Sequence, residues 1–209
     1  MKLYYATNSC SLSAHIIANE AGIVLELEKV DIGRLPHLTA AGADFATINP
    51  KGYVPALRLD DGSLLTEGLA IALYLADQAP QSGLAPAEGT AERYRLLEWL
   101  AFIGSELHKA YSPWLFHPEL GETAQQVARA KILGRLALIE THLATNAYLL
   151  GERFGAADAY AFTVIGWSRF VGIDLVQFPL IRDYLQRIAA RPAVREAMRA
   201  EGMALAAAA

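Results

Sequence analysis

Cys10 is the sole cysteine of the 209-residue chain and lies in the segment Asn8-Ser9-Cys10-Ser11-Leu12-Ser13. This segment falls between a predicted first strand and a predicted first helix, where unpaired backbone N–H groups and the helix dipole favour an anion. A thiolate is stabilised there, whereas a lone cysteine elsewhere is commonly a small buried hydrophobe. The strand-to-helix position therefore favours a reactive thiol.

The motif around Cys10 contains a single thiol. A dithiol redox motif has a second cysteine three residues on, and Ser13 takes that place here. A mixed disulfide on Cys10 would need an outside thiol to release it, and glutathione is the natural small one. The motif points to a protein that uses glutathione.

Two further motifs suit the parts of a short peptide. If the Val54-Pro55 bond is cis, the Val54 backbone turns outward to pair with an extended ligand, but an ordinary edge-strand proline explains the pair equally well. Glu67 and Gly68 begin a predicted helix. The Glu67 carboxylate could bind the ammonium group of a ligand, and the Gly68 N–H could bind its carboxylate. The alternative is a glutamate that only favours the helix dipole.

His108 lies on a long predicted helix, residues 91–111, which ends in an aromatic segment. An imidazole facing Cys10 could hold the thiol proton or stabilise the thiolate. The alternative is a solvated helix face beside a core cluster of rings. The aromatic residues that could line a cavity or fill the core are Tyr111, Trp114, Phe116, Trp167 and Phe170.

Composition excludes several classes of function. Hydrophobic residues make up 54% and charged residues 19%, which is typical of a folded globular protein. The net charge is −4 and the basic residues are scattered, so we expect no nucleic-acid partner. No apolar run reaches the ~18 residues that span a bilayer, and no export signal is visible. With a single cysteine, we expect a cytoplasmic protein without a membrane partner.

The first 80 residues predict the element order β-α-β-β-β-α. An Asp-Gly turn at Asp61-Gly62 joins the last two strands as a hairpin. Residues 33–51 lack a clean period and are expected to form an irregular connection with one helical turn. The predicted strands are residues 2–7, 25–32, 54–59 and 63–66, and the predicted helices are residues 11–21 and 67–79.

A segment rich in turn-forming residues, 80–89, marks a linker. We therefore predict a first domain at 1–80, a linker at 81–89 and a helical domain at 90–209. Asp158 falls at the third position of one helix, where its carboxylate can cap the helix start, a structural role. The predicted helices are residues 91–111, 124–143, 156–171, 179–190 and 192–201.

In the order and spacing of these motifs, the chain resembles the bacterial beta-class glutathione transferases. The motifs are Cys10-Ser11-Leu12, residues 49–57, Thr66-Glu67-Gly68, Glu106-Leu107-His108-Lys109 and residues 154–158. The resemblance implies an α/β thioredoxin-like domain followed by an all-α helical bundle. It also implies a homodimer that conjugates glutathione, its cosubstrate, to hydrophobic electrophiles. Thiol-disulfide exchange through Cys10 and a non-catalytic binding role are the alternatives.

The resemblance further implies site residues for glutathione. Its cysteinyl backbone is expected against Val54, its γ-glutamyl end at Glu67 and Gly68, and its sulfur near Cys10 and His108, the two catalytic candidates. No metal site is predicted. The residues expected to bind glutathione are Ser11, Arg34, Val54, Pro55, Glu67, Gly68, Ser105 and Lys109.

The chain departs from the family pattern at three places. A lysine common after the second strand is absent, so contact with the glycyl carboxylate is expected to pass to Arg34 or His37, or to be lost. Ala101 replaces a polar residue that relatives often carry on the long helix, and the resemblance implies that a hydrogen bond near the thiol is thereby lost. Gly155 stands where Ser or Thr usually caps a helix, a change that costs a few tenths of a kcal/mol.

Overall fold

The computed structural model describes residues 1–203, which form two compact units. The first unit contains Met1–Ala85 and the described residues from Arg191 onward, and the second contains Pro86–Ala190. The predicted division differs from this one at the C-terminus, because the last helix packs within the first unit.

The first unit is built on a five-stranded mixed sheet. Strand β1 (Lys2–Tyr5) pairs in parallel with β2 (Glu26–Asp31), and helix α1 (Ser11–Glu20) connects them. Strands β4 (Ala56–Arg58) and β5 (Leu64–Thr66) form the predicted antiparallel hairpin, and β4 pairs with β1. This topology confirms the thioredoxin-like prediction and brings the end of β1 beside the start of β4.

The irregular connection contains one element that the sequence analysis did not predict. Strand β3 (Leu38–Thr39) pairs antiparallel with the end of β2, giving the sheet order β3-β2-β1-β4-β5. A strand of two residues shows no alternation, so its pairing is set by tertiary contacts. The helical turn predicted nearby is a 3-10 turn at Phe45–Thr47, and Phe45 is fully buried against Tyr4.

Helices cover the sheet of the first unit. Helix α2 (Gly68–Asp77) packs against α1, and the C-terminal helix Pro192–Ala200 also packs on α1. The C-terminal helix buries Val194, Ala197 and Met198, a one-sided stripe that must pack on another element. The sequence shows the stripe but not the partner, so the packing of this helix on α1 could not be predicted. The fully buried residues Leu3, Ile16, Ile17, Leu57, Ile71 and Leu75 form the core.

The second unit is helical, as predicted. No helix within residues 1–203 is long and apolar enough to cross a membrane. The predicted helix at 91–111 is interrupted by a π-helical segment at Ile103–His108. The helices are α3 (Ala91–Phe102), α4 (Lys109–Tyr111), α5 (Glu122–Leu143), α6 (Ala156–Ile165), α7 (Ser168–Val171) and α8 (Pro179–Ala189), and the C-terminal helix is α9.

Asp158 has the structural role predicted for it. Its fully buried carboxylate accepts hydrogen bonds from the backbone N–H of Gly155 (2.8 Å) and of Leu149 (2.9 Å). The Tyr184 hydroxyl donates a third, at 2.8 Å. One side chain thus caps α6 and ties it to α8 and to the preceding loop.

Candidate functional site

Cys10 lies at the N-cap of α1, as the sequence predicted. The chain reaches it from β1 through Asn8, which has a positive φ of 64°. The half-buried thiol donates a hydrogen bond from Sγ to the Val54 carbonyl oxygen at 3.4 Å. The thiol therefore sits at the positive end of the helix dipole and beside the segment that enters β4.

Serine hydroxyls hold the turn around Cys10. Ser11 is fully buried, and its Oγ lies 2.7 Å from Ser9 Oγ and accepts from the Ala6 N–H at 3.2 Å. The Ser13 hydroxyl donates to the Cys10 carbonyl at 2.7 Å. The hydroxyl of Ser11 thus serves the turn itself, and the ligand contact expected of it remains a prediction.

Val54 and Pro55 lead from this turn to the start of α2. Their peptide bond is cis, one of the two alternatives that the sequence left open. Both residues precede β4, whose ladder begins at Ala56. A Cβ added to Gly68 would lie 3.8 Å from Pro55 Cγ, so Gly68 packs against the proline ring. Cys10, Val54, Pro55 and Gly68 therefore form one continuous line of contacts.

Glu67 carries two contacts that the sequence analysis missed. Its Oε1 accepts hydrogen bonds from Lys51 Nζ at 2.6 Å and from the Tyr53 hydroxyl at 2.7 Å. The hydrogen bond to Glu67 raises the pKa of both Lys51 and Tyr53. The sequence offers one signal for these contacts, which is the place of Lys51 and Tyr53 within the motif at 49–57.

The backbone of Glu67 is strained. Its φ is 72° and its ψ is 116°, outside the regions that side-chain-bearing residues usually occupy. Such a residue costs roughly 1–3 kcal/mol and persists only where the surrounding structure holds it in place. The strain places the carboxylate at the start of α2 with 56% of its side chain exposed.

The turn at residues 49–52 positions Tyr53 and Val54. The buried Asn49 donates from Nδ2 to the Tyr53 carbonyl at 2.8 Å and accepts from the Lys51 N–H at 3.1 Å. Gly52 has a φ of 75°, which glycine adopts without steric cost. The asparagine thereby fixes the segment from Lys51 to Val54.

Arg34 and His37, expected near a glycyl carboxylate, already have protein partners. Arg34 Nε lies 3.2 Å from Asp31 Oδ2, with 78% of the arginine side chain exposed. His37 Nδ1 forms a hydrogen bond with the Gly52 carbonyl at 2.9 Å. A ligand carboxylate at either residue remains a prediction.

In the second unit, His108 ends the π-helical segment and lies among aromatic rings. Its Nδ1 is 2.7 Å from the Tyr160 hydroxyl, and its ring centroid is 4.9 Å from that of Trp167, edge to face. Burial, helped by the charge of Lys109, lowers the pKa of His108 to about 4. The imidazole is therefore neutral at pH 7, and its action on Cys10 remains a prediction.

The other predicted residues of this unit differ in exposure. Ser105 and Lys109 are exposed, and the Ser105 hydroxyl donates to the Ala101 carbonyl at 2.8 Å. Trp167 is the centre of the aromatic cluster, with Phe116 at 5.7 Å and Tyr111 at 6.1 Å between ring centroids. Trp114 and Phe170 are 42% and 49% exposed, so they do not fill the core.

Comparison with known proteins agrees with this architecture. Residues 9–78 match the glutathione S-transferase N-terminal domain, and residues 102–192 match the C-terminal domain. Glutathione S-transferase GstA of Escherichia coli O157:H7 is 41% identical over 203 residues, 97% of this chain and 100% of that protein.

Two solved structures extend the match. A sphingomonad glutathione S-transferase complexed with glutathione is 47% identical with a TM-score of 0.92, covering 98% of this chain and 100% of that one. The bacterial beta-class glutathione S-transferase of Sphingomonas chungbukensis is 43% identical with a TM-score of 0.92, covering 97% and 100%. The chain therefore belongs to the glutathione S-transferase family, among its bacterial beta-class members.

Proposed function

We propose that the first unit binds glutathione and that the protein conjugates it to hydrophobic electrophiles. The observation that carries the proposal is the line of contacts from the Cys10 thiol through Val54 and Pro55 to Gly68. The sphingomonad relative, described in complex with glutathione, supports the choice of ligand.

Each part of glutathione has a chemical counterpart along this line. The ammonium group of the γ-glutamyl end pairs with Glu67, and its carboxylate meets the Gly68 N–H at the start of α2. The cysteinyl backbone pairs with the backbone of Val54, which lies before the ladder of β4 begins. That arrangement directs the glutathione sulfur toward Cys10.

The contacts of Glu67 support its assignment as the ammonium site. Lys51 already places a cation 2.6 Å from the carboxylate, and its side chain is 48% exposed. A half-exposed lysine can move aside at little cost, because exposed ion pairs contribute about 0–1 kcal/mol. The ligand ammonium then shares or replaces that contact.

In conjugation, the glutathione thiolate attacks the electrophilic carbon of the substrate. A carbon–sulfur bond forms and the bond to the leaving group, such as chloride, breaks with departure of the anion. In its protonated form, Cys10 supplies a hydrogen-bond donor at the start of α1, which favours ionisation of the ligand thiol.

Thiol-disulfide exchange is the second candidate, and the N-cap position of a single cysteine favours it. The Cys10 thiolate attacks the glutathione sulfur of a disulfide between glutathione and a substrate thiol, forming a mixed disulfide of Cys10 with glutathione and releasing the substrate thiolate. A second glutathione thiolate then attacks the mixed disulfide, releasing oxidised glutathione and restoring Cys10. We expect Cys10→Ala to abolish exchange while measurable conjugation of a chloronitrobenzene remains, and equal loss of both activities would contradict this division.

The ammonium assignment is tested by Glu67→Ala in steady-state kinetics. We expect the glutathione KM to rise about tenfold or more with kcat changed less than about twofold, because the lost charged hydrogen bond holds a part that does not react. Glu26→Ala is the matched control, since Glu26 is also exposed and pairs with a lysine, Lys2, at 2.9 Å. An unchanged KM in Glu67→Ala would refute the placement.

A further inference from the structure

Glu201 follows α9 and contacts the chain on both sides of Cys10. Its backbone carbonyl accepts a hydrogen bond from the Thr7 hydroxyl at 2.9 Å, and Thr7 precedes Cys10 in the turn. Its carboxylate Oε1 is hydrogen-bonded to His15 Nδ1 at 3.0 Å, and His15 lies on the second turn of α1. Glu201 therefore contacts the chain both before and after Cys10, at Thr7 and at His15.

This contact is made at a cost. The Glu201 side chain is fully buried, and its Oε2 has no hydrogen-bond partner within the described residues. Burial raises the pKa of Glu201, and burial together with the Glu201 charge raises the pKa of Tyr5. The charge of Lys29 opposes this rise in the pKa of Glu201. An apolar side chain at this position would pack at lower cost, because a buried polar atom without a hydrogen-bond partner destabilises the fold.

We propose that Glu201 is a positioning residue that fixes Cys10 at the start of α1. The inference rests on the proposed function, in which the Cys10 thiol takes part in the reaction. Holding Thr7 and His15 together keeps the intervening turn in register with α1 and keeps Sγ at the N-terminal end of that helix. Without this hold the turn can shift, and the thiolate loses part of the stabilisation that the helix start provides.

An ion pair between the last residue of α1 and Arg191, the residue before α9, provides the control. Arg191 contacts Glu20 in a bidentate geometry, with distances of 2.5 Å and 2.7 Å. Glu20 is the last residue of α1, at the end opposite Cys10. Glu20→Gln therefore weakens the packing of α9 on α1 without touching the thiol segment.

The test is the rate of Cys10 alkylation by iodoacetamide between pH 5 and 10, without glutathione, with thermal unfolding measured on each variant. The midpoint of the rate profile reports ionisation of the thiol, whereas the plateau reports its accessibility. Glu201→Ala removes the side-chain contact with His15 and leaves the backbone contact with Thr7 in place. We expect this variant to raise the midpoint by about half a unit or more, which is an approximately threefold lower thiolate fraction below the midpoint. Glu201→Gln keeps an acceptor for His15, so we expect a smaller shift.

Glu20→Gln is expected to lower the unfolding temperature and leave the midpoint unchanged. A midpoint in Glu201→Ala equal to that of the wild type, or an equal shift in Glu20→Gln, would overturn the positioning role. If Glu201→Ala does not fold, Thr7→Val decides, because it removes the hydroxyl that binds the Glu201 carbonyl. We expect a shift in the same direction, and no shift would overturn the proposal.

The assay separates this inference from the proposed function. Because it contains no glutathione, a shifted midpoint supports the positioning role even where Glu67→Ala leaves the glutathione KM unchanged. An unshifted midpoint overturns the role even where the Glu67 test succeeds.

Discussion

The regions around Cys10 and His108 differ in whether they stabilise a charged side chain. Cys10 lies at a helix start among backbone groups and serine hydroxyls, an environment that favours an anion. His108 lies among the rings of Trp167 and Tyr160, and burial removes its charge at pH 7. The first region is suited to create and hold a thiolate, and the second to pack apolar groups beside a neutral hydrogen-bonding imidazole.

The two regions also differ in what fixes them. Short polar contacts along the chain hold the Cys10 turn, together with Glu201 from the far end of the sequence. The His108 region depends on α6, which carries Tyr160 and is capped by Asp158. The comparison predicts that substitution of Asp158 lowers the free energy of unfolding, whereas substitutions near Cys10 change the reactivity of the thiol.

The largest effect is expected from Asp158→Ala. Three buried donors, the N–H groups of Gly155 and Leu149 and the Tyr184 hydroxyl, lose their acceptor. We expect the free energy of unfolding to fall by about 3–5 kcal/mol in urea titrations. The control is Asp174→Ala, whose exposed carboxylate accepts from the Val176 N–H and should cost less than about 1 kcal/mol. Equal losses in the two variants would contradict the assigned role.

A smaller effect is expected from protonation of His108. Its folded pKa of about 4 lies below the ordinary 6.5, so the folded state binds fewer protons than the unfolded chain. Stability from this group is complete above pH 6.5 and is lost as the pH falls toward 4. Between pH 7 and pH 5 we expect the wild type to lose about 2 kcal/mol more than His108→Gln. An NMR titration that gave His108 a pKa near 6.5 would contradict this account.

The sequence predicted the elements whose signals are local. The position of Cys10 follows from a strand pattern meeting a helix pattern, and the capping role of Asp158 follows from its place in the helix. The contacts of Lys51 and Tyr53 with Glu67 were missed, because residues fourteen and more apart meet only once the hairpin has formed. Strand β3 and the packing of α9 on α1 were missed for the same reason, since tertiary contacts decide both.

The π-helical segment at Ile103–His108 also lies beyond what the sequence shows. Its residues carry an ordinary helical pattern, and a π segment differs from an α-helix only in which carbonyl each N–H finds. Such segments are frequent at functional sites, which agrees with the prediction of a role for His108.

The central claim, a reactive Cys10 beside a glutathione site, is tested most directly by intact mass spectrometry after incubation with oxidised glutathione, with and without dithiothreitol. Cys10→Ala serves as the blank, and Glu67→Ala is compared with the wild type for adduct formation and, separately, for alkylation by iodoacetamide. The account predicts one glutathione per wild-type chain, removed by dithiothreitol, and an adduct that forms more slowly in Glu67→Ala at an unchanged alkylation rate. A wild-type chain that is alkylated by iodoacetamide yet acquires no glutathione would contradict it.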